Sequence, residues 1–375
     1  MAIRVMISGG GTGGHLYPAL NIAAALRRVE PACELMLVGA QRGIEHRILP
    51  TSGYTYRLLA TEPLRRSRPW QNWRILAMAP RVFSGLTEAF RTLKPHVVVG
   101  TGGYASAPAV AYAIAARKPI VLQEQNAFPG LVTRLLASHA TQIHLGFPEA
   151  VHHLKPGRAT RVQVHGNPVA ILRAPDTSSD FDWPGGCVLL ITGGSQGARG
   201  LNQLLLRELS GATRWPDGVT MVWISGPDHH EAIAAAVRGT TWADRIRVVP
   251  YVNALGQSLN HVSLAICRAG AMSTSELAAA GVPALLVPLP SSAEDHQRSN
   301  AIALAESGAA RIFEQESTPV GELWASVLEL LDSESSLQTM AGAMRSRGRP
   351  DAADRIAADI LQLARSVEGA KHADD

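Results

Sequence analysis

A strand, a glycine-rich loop and a helix open the chain, and this order constrains the fold more than any other feature. Residues Ile3 to Ser8 form a predicted strand, followed by Gly9-Gly10-Gly11-Thr12-Gly13-Gly14-His15. A helix is predicted from about Pro18 to Arg28. Glycine lets backbone N–H groups approach a ligand closely, because no side chain intervenes. The loop therefore predicts a phosphate or sugar-phosphate site.

The same junction recurs along the chain. Strands alternate with helices, which predicts α/β architecture with parallel sheets and helices on both faces. Each half of the chain carries an early and a late junction, so we expect two similar α/β domains. The later junctions are His96–Val99 with the loop 100–106, Cys187–Ile191 with 192–197, and Val262–Cys267 with 268–276.

A chain of 375 residues is long enough for two domains. The alternation lapses between Gly166 and Pro184, where Pro, Asp and Ser accumulate as in a linker. We therefore expect one domain at 1–165, joined by an amphipathic C-terminal helix at about 351–367, and a second domain at 166–350.

Cysteine usage and hydropathy narrow the class of protein. Cys33, Cys187 and Cys267 are far apart, which is typical of a reduced cytosolic protein and argues against disulfides or a zinc site. The N-terminal apolar stretch is only one strand long, so it does not predict a signal peptide. The longest membrane-span candidate, Leu277–Pro290, is broken by glycine and proline.

Positive charge is concentrated between Arg57 and Lys94. This window holds eight basic and two acidic residues, a net of +6, whereas the whole chain carries +4, so the remainder is −2. Trp70 and Trp73 lie in the window, which predicts contact with an anionic surface, either phospholipid or nucleic acid. The basic residues are Arg57, Arg65, Arg66, Arg68, Arg74, Arg81, Arg91 and Lys94.

Apolar residues in the same window recur at helical spacing. We expect one stripe to face the core, leaving a second set outside. The predicted core-facing stripe is Trp73, Leu76, Phe83, Leu86 and Phe90, and we expect the arginines and some of Trp70, Met78 and Val82 to remain outside.

The first loop also matches the spacing Gly9-x-Gly11-x-x-Gly14 of a dinucleotide fingerprint. That fingerprint requires an acidic residue at the end of the second strand to bind the ribose. The strand end here is Val38-Gly39-Ala40-Gln41, so a nicotinamide or flavin enzyme is disfavoured.

His15 and Glu276 are the main candidates for chemistry, and each has more than one interpretation. His15 follows the first loop, where it could cap or pack against the helix, accept a proton from an attacking hydroxyl, or bind an anionic group. Glu276 lies in the predicted first turn of the helix after the last loop, where a carboxylate could complement the helix dipole or hold a ribose diol.

Two polar segments complete the candidate sites. The acidic pair of Asp180-Phe181-Asp182 lies in the linker, away from every strand end, and we expect it to be solvated and to bind no metal. Asp295 could cap a helix, and Gln297 could exchange hydrogen bonds with sugar hydroxyls through its amide.

These motifs occur together in the order of one family. The chain resembles the MurG family, the UDP-N-acetylglucosamine transferases of glycosyltransferase family 28 that make lipid II for bacterial peptidoglycan. The resemblance covers nearly the whole chain and rests on a set of motifs. They are Gly10–His15, Gly102-Gly103-Tyr104, Glu124-Gln125-Asn126, Gly193–Gly197, and Asp295-His296-Gln297 with Asn300-Ala301.

The resemblance implies a GT-B fold, in which two Rossmann-like domains face a deep cleft. It implies inverting transfer of GlcNAc from UDP-GlcNAc to the C4 hydroxyl of MurNAc in undecaprenyl-pyrophosphoryl-MurNAc-pentapeptide (lipid I). The attacking hydroxyl must lose a proton, and His15 is our candidate base. The implied substrate-binding residues are Thr12, Gly13, Gly14 and Asn126 for GlcNAc, Ser195 for UDP, Val252 for uracil, Ala271, Met272, Ser273 and Thr274 for the diphosphate, Glu276 for the ribose and Gln297 for the sugar.

The resemblance also implies no cofactor, no metal and no nucleic acid. Its partners are UDP-GlcNAc, lipid I and an anionic membrane surface that contacts residues 57–94, at the cytoplasmic face of the bacterial inner membrane. Two positions depart from the family pattern: Ala170 where Arg is usual, with Arg173 nearby, and Gln123 where His is common. The alternatives are another GT-B enzyme, either a glycolipid glycosyltransferase or a UDP-GlcNAc epimerase, and a non-enzymatic nucleic-acid binder.

Overall fold

The computed structural model describes residues 2–63, 69–170, 181–194, 197–290 and 292–374. Contacts divide the chain into two compact units. Unit 1 comprises Met1–Val169 and Asp351–Asp375, and unit 2 comprises Ala170–Pro350.

Unit 1 is built on a seven-stranded parallel sheet with the order β3-β2-β1-β4-β5-β6-β7. Its three central strands are buried apart from Arg4, as expected when helices cover both faces of a parallel sheet. The strands are β1 Arg4–Ser8, β2 Glu34–Ala40, β3 Thr55–Leu59, β4 Val97–Gly100, β5 Ile120–Glu124, β6 Gln142–Leu145 and β7 Arg161–Gln163.

Helices form a core on each face of this sheet. On one face, α1 packs beneath the C-terminal helix α12, which returns to unit 1 from the end of unit 2. On the other face, α3 and α4 cover the strands. The helices of unit 1 are α1 Gly13–Val29, α2 Glu45–Ile48, α3 Trp73–Leu93, α4 Ala107–Ala115, α5 Leu131–Leu136 and α12 Ala352–Asp374.

Unit 2 repeats this plan with six parallel strands in the order β10-β9-β8-β11-β12-β13. Its strands are β8 Cys187–Thr192, β9 Val219–Ile224, β10 Ile246–Val249, β11 Leu264–Cys267, β12 Ala284–Leu286 and β13 Ala310–Ile312. Its helices are α6 Arg199–Gly211, α7 His230–Arg238, α8 Ala271–Ala280, α9 His296–Glu306, α10 Glu322–Asp332 and α11 Glu334–Arg347.

The strand order locates the binding edge of each unit. In both sheets the direction of strand addition reverses beside the first strand, between β1 and β4 and between β8 and β11. Ligands of doubly wound sheets bind beyond the carboxyl ends of the strands at this switch point. The four glycine-rich junctions predicted from the sequence follow these four strands.

One helix differs from its sequence-based prediction. Helix α1 begins at Gly13, five residues before the predicted start, and Pro18 lies inside it. The predicted start placed proline at the beginning of the helix, whereas Pro18 is the sixth residue of α1.

The predicted core-facing stripe of α3 is wrong in its first half. Trp73, Leu76 and Phe83 are 63%, 76% and 62% exposed, whereas Leu86 and Phe90 in the second half are buried as predicted. Of the three residues of which some were expected outside, Trp70 is 69% exposed, and Met78 and Val82 are half-buried. Arg65, Arg66 and Arg68 lie outside the described residues.

Among the described residues, no helix has both the length and the apolar character that are needed to cross a bilayer.

Candidate active site

The first glycine loop of unit 1 connects β1 to α1. Gly10 and Gly11 have φ angles of +152° and +91°, which side chains rarely allow. A Cβ on Gly103, in the loop after β4, would collide with the carbonyl of Gly10. Glycine is therefore required where the two loops touch.

A buried carboxylate that the sequence analysis missed supports this loop. Glu45 is fully buried, and its Oε1 accepts hydrogen bonds from Gly11 N at 2.6 Å and from Ala40 N at 3.2 Å. Any Cβ on Gly10 or Gly43 would meet the same carboxylate. An anion behind the loop disfavours a second anion in front of it, so the loop suits a neutral sugar better than a phosphate.

Helix α1 presents its N-terminus at the end of this loop. Thr12 occupies the N-cap position with an exposed side chain that makes no capping hydrogen bond. Gly13 and Gly14 form the first two helical positions, whose N–H groups point out of the helix. Because both lack a Cβ, a ligand can approach the backbone there.

His15 is the third residue of α1 and is half-buried. Its Nδ1 lies 3.2 Å from Thr101 O and 3.0 Å from Gln125 Oε1. Both neighbours are acceptors, so Nδ1 carries the proton in the neutral ring and the lone pair is on Nε2. A free lone pair is what a general base needs.

The loop after β5 is organised by Glu124, which is 2% exposed. Its carboxylate accepts from Asn126 N at 3.0 Å, from Asn126 Nδ2 at 3.1 Å and from Gly130 N at 3.0 Å. The predicted sugar contact Asn126 is therefore fixed in place by the preceding residue. The sequence motif contained this carboxylate but did not reveal its role.

Tyr104 closes the other side of the first loop. A Cβ on Gly11 would meet the Tyr104 ring, and the Tyr104 hydroxyl donates to Arg42 O at 2.7 Å. Burial, followed by the charges of Glu45 and Glu62, raises the pKa of this phenol.

In unit 2, the loop after β8 reverses through Gly194 and Gly197, with φ angles of +90° and +72°. A Cβ on Gly197 would strike the carbonyl of Ser225. Ser195, the predicted UDP contact, lies outside the described residues.

Helix α8 begins directly after β11, with Gly270 at the N-cap position. The N–H groups of Ala271, Met272 and Ser273 are its first-turn donors. Thr274 differs, because its N–H and hydroxyl both bond back to the Gly270 carbonyl, at 2.9 and 3.0 Å, and its side chain is buried. Anion binding at this terminus thus depends on the three preceding N–H groups.

Glu276 is the sixth residue of α8, beyond the first turn, so its expected position there was wrong. The helix dipole acts mainly within the first turn, which removes the capping interpretation. The carboxyl is close to the backbone of Gly256, where a Cβ would lie 3.0 Å from its carbon. Burial raises the pKa of Glu276 to about 7.

Gln297 lies in the first turn of α9, with one side of its amide already occupied. Its Oε1 accepts from Leu289 N at 2.9 Å, so the amide NH₂ is the group oriented for a ligand. Asp295 stands at the N-cap position with a left-handed φ of +55° and makes no side-chain capping bond.

Val252, in the segment after β10, has a buried side chain, so a base could reach only its backbone.

Family models match both units of the chain. The glycosyltransferase family 28 N-terminal domain matches residues 5–145, and the family's C-terminal domain matches residues 188–356. Curated relatives named UDP-N-acetylglucosamine–N-acetylmuramyl-(pentapeptide) pyrophosphoryl-undecaprenol N-acetylglucosamine transferase match nearly end to end. The Salinibacter ruber protein is 38% identical over 97% of both chains, and the Moorella thermoacetica protein is 39% identical over 97% of this chain and all of its own.

The chain belongs to the MurG family. A crystal structure of Acinetobacter baumannii MurG superposes with a TM-score of 0.74 at 28% identity, covering 96% of this chain and 99% of that one. The calicheamicin glycosyltransferase CalG4, at 16% identity and a TM-score of 0.65, shares the fold. The two α/β units are therefore those of a GT-B glycosyltransferase, and the enzyme class predicted from the motifs is confirmed.

A second buried group that the sequence analysis passed over is the side chain of Arg268, between β11 and α8. Its Nη1 donates to Val287 O and Pro288 O at 3.0 Å each, and Nη2 donates to Gln315 Oε1. Burial lowers the pKa of this guanidinium. The arginine ties the ends of β11 and β12 together in unit 2.

The predicted metal-free linker can be described only in part. Asp180 and Arg173 lie outside the described residues, whereas the Asp182 side chain is fully exposed beside Arg247.

Elsewhere in the described chain, His144, His165 and Asp359 group together, with His165 Nε2 2.8 Å from Asp359 Oδ2. This group belongs to β6, the end of β7 and α12, and contains none of the predicted substrate residues.

Proposed function

We propose that the protein transfers GlcNAc from UDP-GlcNAc to the C4 hydroxyl of MurNAc in lipid I, forming the β-1,4 bond of lipid II. The observation that carries this proposal is the nearly full-length match to transferases bearing that name. The roles proposed below for individual residues are supported by the contacts of each residue within its own unit.

Unit 2 binds the donor. The N–H groups of Ala271, Met272 and Ser273 hold the diphosphate, and the Glu276 carboxylate accepts hydrogen bonds from the ribose diol. The Gln297 NH₂ donates to a sugar hydroxyl, since its Oε1 is engaged by Leu289 N. Ser195 contacts the UDP, and the backbone of Val252 meets the uracil.

Departure of UDP is driven by electrostatics at the start of α8. Breaking the bond between the anomeric carbon and the phosphate oxygen leaves negative charge on UDP. Preorganised N–H donors and the positive end of a helix dipole stabilise such charge. This supports a reaction without a metal ion.

Unit 1 supplies the acceptor side. Thr12, Gly13, Gly14 and Asn126 lie near the GlcNAc, and the acceptor hydroxyl attacks the anomeric carbon from the face opposite UDP. As the new C–O bond forms, the hydroxyl proton moves to His15 Nε2 and the configuration at the anomeric carbon inverts. The electron pair of the broken bond leaves with UDP.

Replacing His15 with Ala tests this role. We expect the turnover number to fall by about 10²–10⁴, the usual loss when a general base is removed, while calorimetric affinity for UDP-GlcNAc is unchanged. His139→Ala, at an exposed histidine of the same unit, is the matched control and should keep full turnover. Wild-type turnover at saturating substrate in His15→Ala would remove His15 from the reaction.

Membrane contact is proposed for the exposed face of α3. Its first half presents Trp73, Leu76 and Phe83 to solvent, next to exposed Arg74 and Arg81. Aromatic residues favour the membrane interface, and each basic residue near an anionic leaflet adds about 1 kcal/mol. The lipid acceptor stays in its bilayer, so peripheral binding at the cytoplasmic face of the inner membrane brings the enzyme to it.

Vesicle sedimentation tests this contact with phosphatidylglycerol vesicles. Trp73→Ser with Leu76→Ser should abolish binding, and Arg74→Glu with Arg81→Glu should weaken it most at low salt. Leu135→Ser removes an equally exposed leucine, 65% exposed, from another helix of unit 1 and should bind normally. Undiminished sedimentation of the α3 variants would refute the assignment.

A further inference from the structure

A chain of buried amide side chains lies behind His15 and is not used by any step of the reaction above. Gln125 and Gln123 are 1% and 0% exposed, and Asn167 is 2% exposed. Gln125 Oε1 faces His15 Nδ1 at 3.0 Å, and Gln123 Nε2 donates to Asn167 Oδ1 at 3.0 Å. Asn167 Nδ2 donates in turn to Gln125 O at 2.9 Å.

The orientation of the Gln125 amide is determined by its surroundings. Its Nε2 donates to Thr101 O at 2.8 Å and to Gln123 O at 3.0 Å, and it also contacts Gln123 Oε1. These neighbours are all acceptors, so the NH₂ must point towards them. The carbonyl oxygen Oε1 is left facing the imidazole, which must donate to it.

The amide chain is anchored where unit 1 ends. Asn167 lies three residues before the boundary at Ala170, and Asn21, on the same helix as His15, donates to Pro168 O at 2.6 Å. The helix that carries His15 and the amide chain are thus both hydrogen-bonded to the segment 167–168. Buried, fully satisfied amide networks of this kind hold a unique geometry.

We propose that Gln125 is a positioning residue that holds His15 in the tautomer protonated at Nδ1, so that Nε2 is always available to take the acceptor proton. The proposal rests on the role given to His15 in the proposed function. Gln125 acts through a neutral amide, so it sets the direction of the imidazole without placing a formal charge beside it.

Replacing Gln125 with Glu tests the contact during turnover. A carboxylate within hydrogen-bonding distance favours the imidazolium, so the acidic limb of the pH profile of kcat/KM for the acceptor, measured at saturating UDP-GlcNAc, should move up by about one pH unit or more. Gln123→Glu places the same charge one amide further from His15 and should move the limb clearly less. Affinity for UDP-GlcNAc should be unchanged in both variants.

The tautomer is measured directly by NMR on wild-type protein labelled with ¹⁵N-histidine. The His15 resonance is the one missing from His15→Gln, and in the neutral ring we expect the proton on Nδ1. A proton on Nε2 would overturn the proposal, as would a Gln125→Glu profile that coincides with wild type. This NMR result does not require turnover, so it stays decisive if Gln125→Glu fails to fold.

The two hypotheses can therefore fail separately. Full activity of His15→Ala would remove the base role, whereas the tautomer measurement and the Gln125→Glu profile together test whether Gln125 orients the ring.

Discussion

Glu276 should make donor binding depend on pH near neutrality. Burial raises the pKa of this carboxyl to about 7. An ionised carboxylate accepts hydrogen bonds from both hydroxyls of a ribose, whereas a protonated acid has lost part of that capacity. Donor binding should therefore select the ionised form and release a proton below pH 7.

The size of the effect follows from the pKa. About one tenth of Glu276 is ionised at pH 6 and about nine tenths at pH 8, so affinity should rise about tenfold over this interval, or about 1.4 kcal/mol. The stability of the ligand-free protein changes in the opposite direction. A raised carboxyl pKa favours folding while the group is protonated, and this contribution is lost as the pH rises through about 7.

Calorimetry with UDP-GlcNAc at pH 6 and pH 8 measures this dependence. The intact donor is preferable to UDP, because a terminal phosphate itself titrates near pH 6. Buffers of different ionisation enthalpy report the released proton, and Glu276→Gln, which keeps the shape without the titration, is the control. Equal affinity at both pH values, or the same pH dependence in Glu276→Gln, would refute the ribose role.

Two predictions address stability. Glu208→Ala should lower the free energy of unfolding in urea by about 1–3 kcal/mol, because its buried carboxylate accepts from Gly321 N and Trp324 N at the start of α10; an unchanged midpoint would contradict this. Burial lowers the pKa of His144 to about 4, so the unfolded chain binds more protons below pH 6.5 and stability falls towards pH 4. His144→Gln should reduce the difference between melting temperatures at pH 5 and pH 7, and an undiminished difference would contradict the burial argument.

The fold followed from local patterns. Each strand that ends in a glycine loop and continues into a helix is read from adjacent residues, and alternation of such units specifies a parallel sheet. The location of the candidate site residues on these loops could therefore be predicted from the sequence. His15, Gln297 and the start of α8 all lie at carboxyl ends of strands, where doubly wound sheets bind ligands.

The contacts that support the site residues join positions far apart in the sequence, and no sequence pattern predicts them. Glu45 reaches Gly11 across 34 residues, and Gln125 reaches His15 across 110. Periodicity also identified which residues of α3 share a face but not whether that face is covered. Trp73 and Leu76 were assigned to the core because helical spacing carries no information about where the neighbouring sheet ends.

Incubation of the protein with UDP-GlcNAc and a lipid I analogue tests the central claim most directly. We predict that UDP is released only when the acceptor is present, in a one-to-one ratio with a product carrying one added β-linked GlcNAc. Diacylglycerol should not replace the acceptor. UDP release without a disaccharide, or conversion of UDP-GlcNAc into its epimer, would contradict the account.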